Sequence, residues 1–492
     1  MTTRYLACDL GATSGRLMLG TIQDGRLALE ELHRFSNGPV KVGTSLHWDI
    51  QALFAALRAG LKKAADRKLP VTSISTDSWG VDYILYDDRD RIIEPTFCYR
   101  DSRTEQGVRH AQSKVSWEEI YEETGIQFMA LNTIYQLAAE APDRLERAAR
   151  LLLIGDAFNY YCSGVARHEE SLASTTQLYN PRSRAWSDTL LSRLAIPKHL
   201  FTPVVPSGTR LGPLQPELAA EVNLPEMEVV ASCSHDTGAA VAAVPALGED
   251  WAYLSSGTWS LIGLELAAPV ITRESREFSV TNEVGFGGSI RFLKNIVGMW
   301  IVEECRREWA QEGRNYDYST LDRMTAEAKP FVSLINPNDS RFVSPDNMPG
   351  KIAAFCRETS QPVPSSPGAM LRCVYESLAL LYAMMRDRLE KLTGRQIRQL
   401  HIVGGGSKND LLNQFTANAL GVPVLAGPKE ATALGNIIVQ AIAMGHLTSL
   451  KEGREVVRSS VELTAYEPQE EPVWREARER FAELISPRAV GF

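Results

Sequence analysis

A carboxylate at the end of an apolar strand is followed at once by a small-residue loop near the start of the chain. Asp9 ends the run YLACD, and residues 11–15 (GATSG) lead to Arg16. A buried carboxylate is costly unless it is paired or holds a cation, and backbone amides can bind phosphate. The stretch therefore predicts a Mg²⁺–phosphate loop, with Arg16 as a clamp whose fork geometry suits phosphate oxygens. A turn-capping Asp9 and a surface Arg16 are the alternatives.

A second carboxylate, Asp236, stands where an apolar strand gives way to a small-residue helix in MEVVASCSHDTGAAV. A lone Asp at such a junction is most often a helix N-cap. Two features favour chemistry instead: His235 adds a polar group beside it, and the pair lies just before a predicted domain boundary, where clefts form. Both interpretations stay open.

A third stretch has three glycines, residues 404–406, between the strand QLHIV and a predicted helix. Glycine lets the backbone approach a ligand closely, although a tight turn explains a triplet equally well. Together these stretches contain what phosphoryl transfer requires, because metal and amides neutralise charge while a carboxylate deprotonates the attacking hydroxyl.

The first loop leads into a strand and not into a helix. RLMLGTI is followed by Asp24 and Gly25, a strong hairpin signal, and RLALEELHRF returns. A dinucleotide fingerprint opens a helix, and a Walker loop continues with Gly-Lys-Ser/Thr, so both are excluded. The same pattern recurs half a chain later in WAYLSSGTWSLIGLEL. Two similarly built domains are therefore expected, at residues 1–245 and 246–492.

Strands and helices alternate between these motifs, which indicates a layered α/β architecture. A helix is expected after an N-cap at Asp49, and a strand over VTSISTD. A long helix should begin at Ser366-Pro367 and end at Gly394. EATALGNIIVQAIAMG is predicted as the last helix, followed by a charged tail.

Composition limits the class of protein. The 492 residues carry a formal net charge of −8, which argues against a nucleic-acid surface because that needs a basic stripe. No apolar run reaches the ~18 residues of a membrane span. The seven cysteines include no C-x-x-C pair, so a reducing cytoplasm is the expected location.

Four stretches, DLGATSGR, SHDTGAAV, LSSGTWSL and VGGGSKNDLLNQ, resemble the FGGY family of carbohydrate kinases. The resemblance implies a two-domain actin-like ATPase (RNase H-like) fold of the α/β class, with duplicated mixed-sheet domains and a cleft between them. The first domain would carry the phosphate hairpin, most sugar contacts and the catalytic Asp, and the second would bind the nucleotide. DSWGVDY, YRDSRT and RFLKNIVGMW are similar to members that phosphorylate L-rhamnulose at O1 with ATP and Mg²⁺.

The resemblance also implies a role for each matching residue. Asp236 would be the general base, and Asp9 would hold Mg²⁺ through water. The other sugar-site residues would be Gly80, His235, Thr237 and Asn295. The ATP-binding residues would be Ala12, Thr13, Ser14, Gly15, Arg16, Thr258 and Gly405. The expected partner is a small ketose, and the expected state is a monomer or homodimer.

Two alternatives remain. A kinase for another ketose or polyol, such as L-fuculose, D-xylulose or glycerol, would use the same base. An actin- or Hsp70-like ATPase scaffold would hydrolyse ATP without stimulation by sugar and would need no base in a sugar site.

Overall fold

The computed structural model of the chain describes residues 2–224, 227–469 and 471–485. Its strands are β1 (Thr3–Leu10), β2 (Ser14–Gln23), β3 (Arg26–Ser36), β4 (Val40–Val42), β5 (Ser45–Trp48), β6 (Ser73–Ser78), β7 (Tyr83–Tyr86), β8 (Thr96–Phe97), β9 (Arg150–Leu153), β10 (His168–Glu169), β11 (Tyr179–Asn180), β12 (Ala185–Trp186), β13 (Val204–Val205), β14 (Thr209–Pro213), β15 (Glu228–Ala231), β16 (Trp251–Ser256), β17 (Trp259–Leu266), β18 (Thr281–Val284), β19 (Ile290–Val297), β20 (Gln399–Val403), β21 (Val424–Ala426) and β22 (Thr464–Tyr466).

The α-helices are α1 (Ile50–Asp66), α2 (Arg103–Gln112), α3 (Trp117–Thr124), α4 (Thr133–Ala138), α5 (Pro142–Arg147), α6 (Ile154–Ser163), α7 (Glu170–Ala173), α8 (Asp188–Arg193), α9 (Pro216–Val222), α10 (Asp236–Ala242), α11 (Arg273–Glu277), α12 (Trp300–Gln311), α13 (Tyr318–Glu327), α14 (Met348–Glu358), α15 (Pro367–Thr393), α16 (Asp410–Leu420), α17 (Ala431–Ala443), α18 (Leu450–Ser460) and α19 (Glu471–Leu484).

The chain divides into two compact units, each drawn from three segments. Unit 1 comprises Met1–Pro245, Glu265–Leu293 and Glu430–Val461, and unit 2 comprises Ala246–Leu264, Lys294–Lys429 and Glu462–Phe492. Two of the unit boundaries fall inside strands, one in β17 and one in β19. The expected contiguous domains, 1–245 and 246–492, stay a prediction.

Unit 1 contains a six-stranded mixed sheet in the order β14-β15-β6-β1-β2-β3. Strands β1, β6 and β15 are parallel, and β2, β3 and β14 run antiparallel to their neighbours. The predicted hairpin between β2 and β3 is confirmed. Asp24 and Gly25 both have positive φ, 51° and 72°, as a type I′ turn requires.

The helices of unit 1 bury apolar faces against this sheet. Helix α1 begins after Asp49, whose carboxylate accepts a hydrogen bond from Ala52 N at 2.9 Å, as the sequence predicts. Its buried Leu53 and Leu57 belong to the same apolar core as Leu6 of β1. Helix α17 packs against β1 and β6, so the central strands of this sheet are covered.

Unit 2 repeats the arrangement with strands in the order β17-β16-β20-β21-β22. Strands β16, β20 and β21 are parallel, and β17 and β22 are antiparallel to their neighbours. Helix α15 has the predicted ends: Ser366 accepts a hydrogen bond from Ala369 N at 3.2 Å, and Gly394 is left-handed with φ 69°. Each unit therefore opens with an antiparallel hairpin joined to a parallel third strand.

Two predictions near the C-terminus need correction. EATALGNIIVQAIAMG does form α17, but it is not the last helix, because β22, α18 and α19 follow. These helices bury Val456, Val457, Trp474 and Phe481. Charged residues surround these apolar ones in the sequence, which is why the sequence predicts a charged tail. The glycine triplet leads first to a short 3₁₀ turn, Gly405–Lys408, and α16 begins only at Asp410.

No helix in the described part of the chain is both long and apolar enough to cross a bilayer.

Candidate active site

The carboxyl ends of three parallel strands meet at one edge of the unit 1 sheet. Asp9 of β1 pairs in register with Asp77 of β6. Ser78 then forms a bridge with His235, and its N–H donates to Ser234 O at 2.8 Å. Three carboxylates therefore belong to neighbouring strand ends, those of Asp9, Asp77 and Asp236. In α/β sheets this is the edge where ligands bind.

Arg16 links two carboxylates of this edge. Its guanidinium lies 2.5 Å from Asp9 Oδ2 and 2.5 Å from Glu430 Oε2. Burial raises the pKa of Asp9, and the charge of Arg16 opposes that rise, while Asp236 and Glu430 add to it. The predicted clamp is therefore held in place by acidic partners, of which sequence reasoning missed Glu430.

Asn37, which directly follows β3, stabilises the loop between β1 and β2. This residue was not identified from the sequence. Asn37 N donates to Thr13 O at 3.1 Å, and its side-chain amide donates to Gly11 O at 2.8 Å. Gly11 N donates to Ser14 O at 3.0 Å, and a Cβ on Gly11 would lie 2.9 Å from that oxygen. The close approach explains why this position carries glycine.

Asp236 is the first residue of α10, and the preceding His235 makes no side-chain capping bond. The carboxylate instead accepts hydrogen bonds from its neighbour Thr237, from N at 2.5 Å and Oγ1 at 3.1 Å. His235 Nε2 lies 3.4 Å from the same oxygen, Asp236 Oδ1, and 32% of the Asp236 side chain is exposed. The N-cap alternative is therefore wrong: the carboxylate is oriented locally and remains accessible.

Glu169 holds the backbone that leads to Asp236. Its Oε2 accepts hydrogen bonds from Ser234 N at 3.0 Å and from Ser171 Oγ at 2.5 Å. Ser171 Oγ in turn accepts from His235 N at 3.2 Å, and Ser207 Oγ donates to the other carboxylate oxygen. Burial raises the pKa of Glu169 to about 7, although the hydroxyls of Ser171 and Ser207 act to lower it.

Asp77 ends a buried chain of polar side chains. Its Oδ2 accepts from Asn436 Nδ2 at 2.6 Å, Asn436 Oδ1 accepts from Gln440 Nε2 at 2.7 Å, and Gln440 Oε1 accepts from Ser73 Oγ at 2.6 Å. Burial, followed by the charge of Asp9, raises the pKa of Asp77 well above its usual range. Sequence reasoning missed Asp77 as well, although an acid at the end of the strand before SWG was a visible signal.

These residues fit a magnesium ion that is shared with a phosphate. Within residues 2–224, 227–469 and 471–485, Asp77 Oδ1 is a buried oxygen without a hydrogen-bond partner, and Mg²⁺ prefers oxygen ligands. The same part of the chain has no group of three or more His, Cys, Asp or Glu placed to hold a metal. Mg²⁺ is usually bound by one or two carboxylates and completed by waters and substrate phosphates, which matches this donor set.

The remaining predicted residues divide between the units. Gly80 follows β6 in unit 1, where a Cβ would lie 3.0 Å from Thr175 Oγ1, and Asn295 lies in β19 within unit 2. Thr258 forms the β16–β17 turn, and its carbonyl accepts from Trp300 N at 3.1 Å. The predicted sugar-site residues Gly80, His235, Asp236 and Thr237 thus belong to one unit and Asn295 to the other.

The glycine triplet of unit 2 packs on the end of β16. A Cβ on Gly404 would lie 2.9 Å from Ser256 O, and one on Gly406 would lie 2.6 Å from Ser256 Cβ. A Cβ on Gly405 would meet no atom within 4 Å, so Gly405 borders open space. Because β16 and β20 are parallel neighbours, Thr258 and Gly405 follow adjacent strand ends of unit 2.

Solved structures with a similar fold include a xylulose kinase and a glycerol kinase. A ligand-bound xylulose kinase from Lactobacillus acidophilus matches with a TM-score of 0.83 and 16% identity, over 100% of this chain and 99% of that one. A glycerol kinase from Plasmodium falciparum with ADP matches with a TM-score of 0.79 and 12% identity, over 100% and 99%. The prediction of an α/β, actin-like ATPase fold with duplicated mixed-sheet domains is confirmed.

The sequence comparisons identify the family. Residues 4–243 match the N-terminal domain, and residues 252–444 the C-terminal domain, of the FGGY family of carbohydrate kinases. A rhamnulokinase from Bacteroides thetaiotaomicron is 42% identical over 99% of this chain and 100% of its own length. One from Enterococcus faecalis is 42% identical over 94% of each chain. The chain belongs to the FGGY family of carbohydrate kinases, so it is a sugar kinase that uses ATP as phosphate donor.

Proposed function

We propose that this enzyme transfers the γ-phosphate of ATP to O1 of L-rhamnulose and forms L-rhamnulose 1-phosphate, the activity that its relatives' name denotes. The observation that carries the proposal is the nearly full-length match to rhamnulokinases. The motifs of the proposed sugar site fall within the matched length, as do those of the proposed phosphate site. The likeness to xylulose and glycerol kinases concerns the fold alone.

Asp236 acts as the general base in this proposal. Its accessible carboxylate takes the proton from the O1 hydroxyl as that oxygen attacks phosphorus. The two hydrogen bonds from Thr237 occupy Oδ1 and leave the other oxygen for the substrate. Because phosphoryl transfer needs little covalent help from the protein, orientation of the hydroxyl is the main contribution of this side chain.

The hairpin loop of unit 1 binds the phosphates in this proposal. Backbone amides of residues 12–15 approach the phosphate oxygens, and Arg16 exchanges its contact with Glu430 for one with phosphate. Thr258 and Gly405 bind ATP from unit 2. Asp9 would hold Mg²⁺ through water, and the ion would supply positive charge that neutralises the phosphates.

Gly80, His235, Thr237 and Asn295 bind the sugar in this proposal. A polyol needs several fixed donors and acceptors, because a site that hydrogen-bonds each hydroxyl rejects an analogue that lacks one. We further propose a cytoplasmic enzyme that is a monomer or a homodimer. All seven cysteines are buried free thiols, which supports a reducing compartment, and light scattering on the purified enzyme tests the oligomeric state.

An ADP-release assay with MgATP tests the function against L-rhamnulose, L-fuculose, D-xylulose, L-ribulose, D-fructose and glycerol. We expect L-rhamnulose to give the highest kcat/KM, and Asp236→Asn to lower kcat about 10²- to 10⁴-fold, the usual contribution of a general base. Asp346→Asn is the matched control, because that side chain is 87% exposed. Turnover of another sugar that also collapses in Asp236→Asn would overturn the substrate and keep the base. ATP hydrolysis indifferent to every sugar would contradict the proposed reaction.

A further inference from the structure

A buried ion pair lies directly behind His235. Glu283 and Arg291 face each other in the antiparallel register of β18 and β19, and Arg291 Nη1 lies 3.1 Å from Glu283 Oε2 with the Arg291 side chain fully buried. Arg291 Nε also donates to Val284 O at 3.1 Å. The remaining nitrogen, Nη2, lies 3.0 Å from His235 Nδ1. The strand register and three polar contacts therefore fix the guanidinium against the imidazole.

The chemistry of this contact assigns the protons of His235. A guanidinium has only donors, so the facing Nδ1 must offer a lone pair. A neutral imidazole with an unprotonated Nδ1 carries its proton on Nε2. Nε2 is the nitrogen that lies 3.4 Å from Asp236 Oδ1. The donor is thus on the side of the imidazole that faces the proposed base.

One contact favours the opposite tautomer. Glu283 Oε2 lies 3.4 Å from His235 Nδ1 and could accept a proton there. The same oxygen already pairs with Arg291 Nη1, which is closer, at 3.1 Å. A proton on Nδ1 would also face the Arg291 guanidinium at 3.0 Å, which places two donors together. The contact with Arg291 therefore decides the tautomer.

We propose that Arg291 is a positioning residue that fixes His235 in the neutral Nε2–H form. His235 then presents a hydrogen-bond donor to Asp236 or to a substrate oxygen and does not act as a second base. Glu283 neutralises the buried guanidinium, which would otherwise be an unpaired charge. The role toward substrate rests on the proposed function, but the tautomer itself does not.

Nitrogen-15 NMR of histidine-labelled full-length enzyme tests the tautomer without substrate. The chain has eight histidines, and His235→Gln identifies the signals to follow by their loss. We expect an unprotonated Nδ1 and a protonated Nε2 in the wild type at neutral pH. In Arg291→Met, Nδ1 is free to donate to Glu283, so we expect a protonated Nδ1. Arg210→Met, in which an exposed arginine is removed, should leave the His235 signals unchanged.

The outcomes are distinct. A protonated Nδ1 in the wild type would overturn the inference, and so would an Arg291→Met enzyme that keeps the wild-type signals. If Arg291→Met does not fold, Arg291→Lys retains one donor and should keep the Nε2–H form. Loss of the positioned donor should lower kcat about 10- to 100-fold, since hydrogen bonds to charged groups are among the strong ones. Failure of L-rhamnulose as substrate would leave the NMR result standing, so the two proposals fail separately.

Discussion

Helices α10 and α17 pack closely against each other, and one added methyl group tests whether this contact positions Asp236. A Cβ on Gly435 of α17 would overlap the carbonyl oxygen of Ala239 in α10 and lie 2.5 Å from its carbonyl carbon. Both are backbone atoms, so no side-chain rotation can relieve the overlap. Ordinary contact begins at 3.4 Å, and the carbonyl oxygen is closer than the carbonyl carbon, so Gly435→Ala must displace one helix from the other by more than about 1 Å.

The expected effect has two parts. Overpacking of this kind costs about 1–3 kcal/mol of unfolding free energy. Asp236 is the first residue of α10, one of the two helices that must move apart, and a misplacement of about 1 Å can lower the rate of a positioned reaction roughly 10²-fold. We therefore expect Gly435→Ala to melt at a lower temperature and to lose most of its kcat.

Differential scanning fluorimetry and the ADP-release assay measure the two parts separately. Gly38→Ala is the control, because a Cβ there would meet no atom within 4 Å and its φ is not positive, so both quantities should stay at the wild-type value. An unchanged melting temperature in Gly435→Ala would refute the packing argument. A lower melting temperature with full kcat would show that α10 does not set the position of Asp236.

Two further predictions concern buried or bridging carboxylates. Burial raises the pKa of Glu169 from 4.5 to about 7. Between these two pH values the folded enzyme keeps the Glu169 carboxyl proton, whereas the unfolded chain releases it. The free energy of unfolding should therefore fall by about 3 kcal/mol as pH rises from 4.5 to 7. Glu169→Gln should flatten that pH dependence in thermal unfolding, and an equally steep profile would contradict the assignment. Glu430→Gln should lower KM for ATP several-fold in steady-state kinetics, because Glu430 pairs with Arg16 and so competes with the ATP phosphates for it. A higher KM would show instead that Glu430 orients Arg16 for the substrate.

The parts of the fold that local sequence determines were predictable. Asp24 and Gly25 specify their hairpin by turn chemistry alone, and Ser366 with Gly394 marks both ends of α15. The position of Asp236 at the junction between β15 and α10 was predictable in the same way. Such signals span a few residues and need no knowledge of strand order.

The contacts of the supporting residues were not predictable, because they depend on segments that are far apart in sequence. Asp77 neighbours Asp9 only because β1 and β6 are parallel and in that register. Glu169 meets Ser234 across 65 residues of sequence, and nothing around it signals that contact. Arg291 contacts His235 across 56 residues of sequence. Turn chemistry pairs strands that are consecutive in sequence, but a single sequence contains no comparable signal for which distant strands become neighbours.

The clustering of carboxylates at this edge has an energetic meaning. Burial raises the pKa of both Asp9 and Asp77, and each is raised further by neighbouring acids. Burial and the neighbouring acids therefore favour the protonated forms of Asp9 and Asp77, and Arg16 is the cation that opposes this on Asp9. A cation bound with the nucleotide phosphates would favour the charged forms again. In the proposed function, that cation would offset the unfavourable electrostatic energy of charged Asp9 and Asp77.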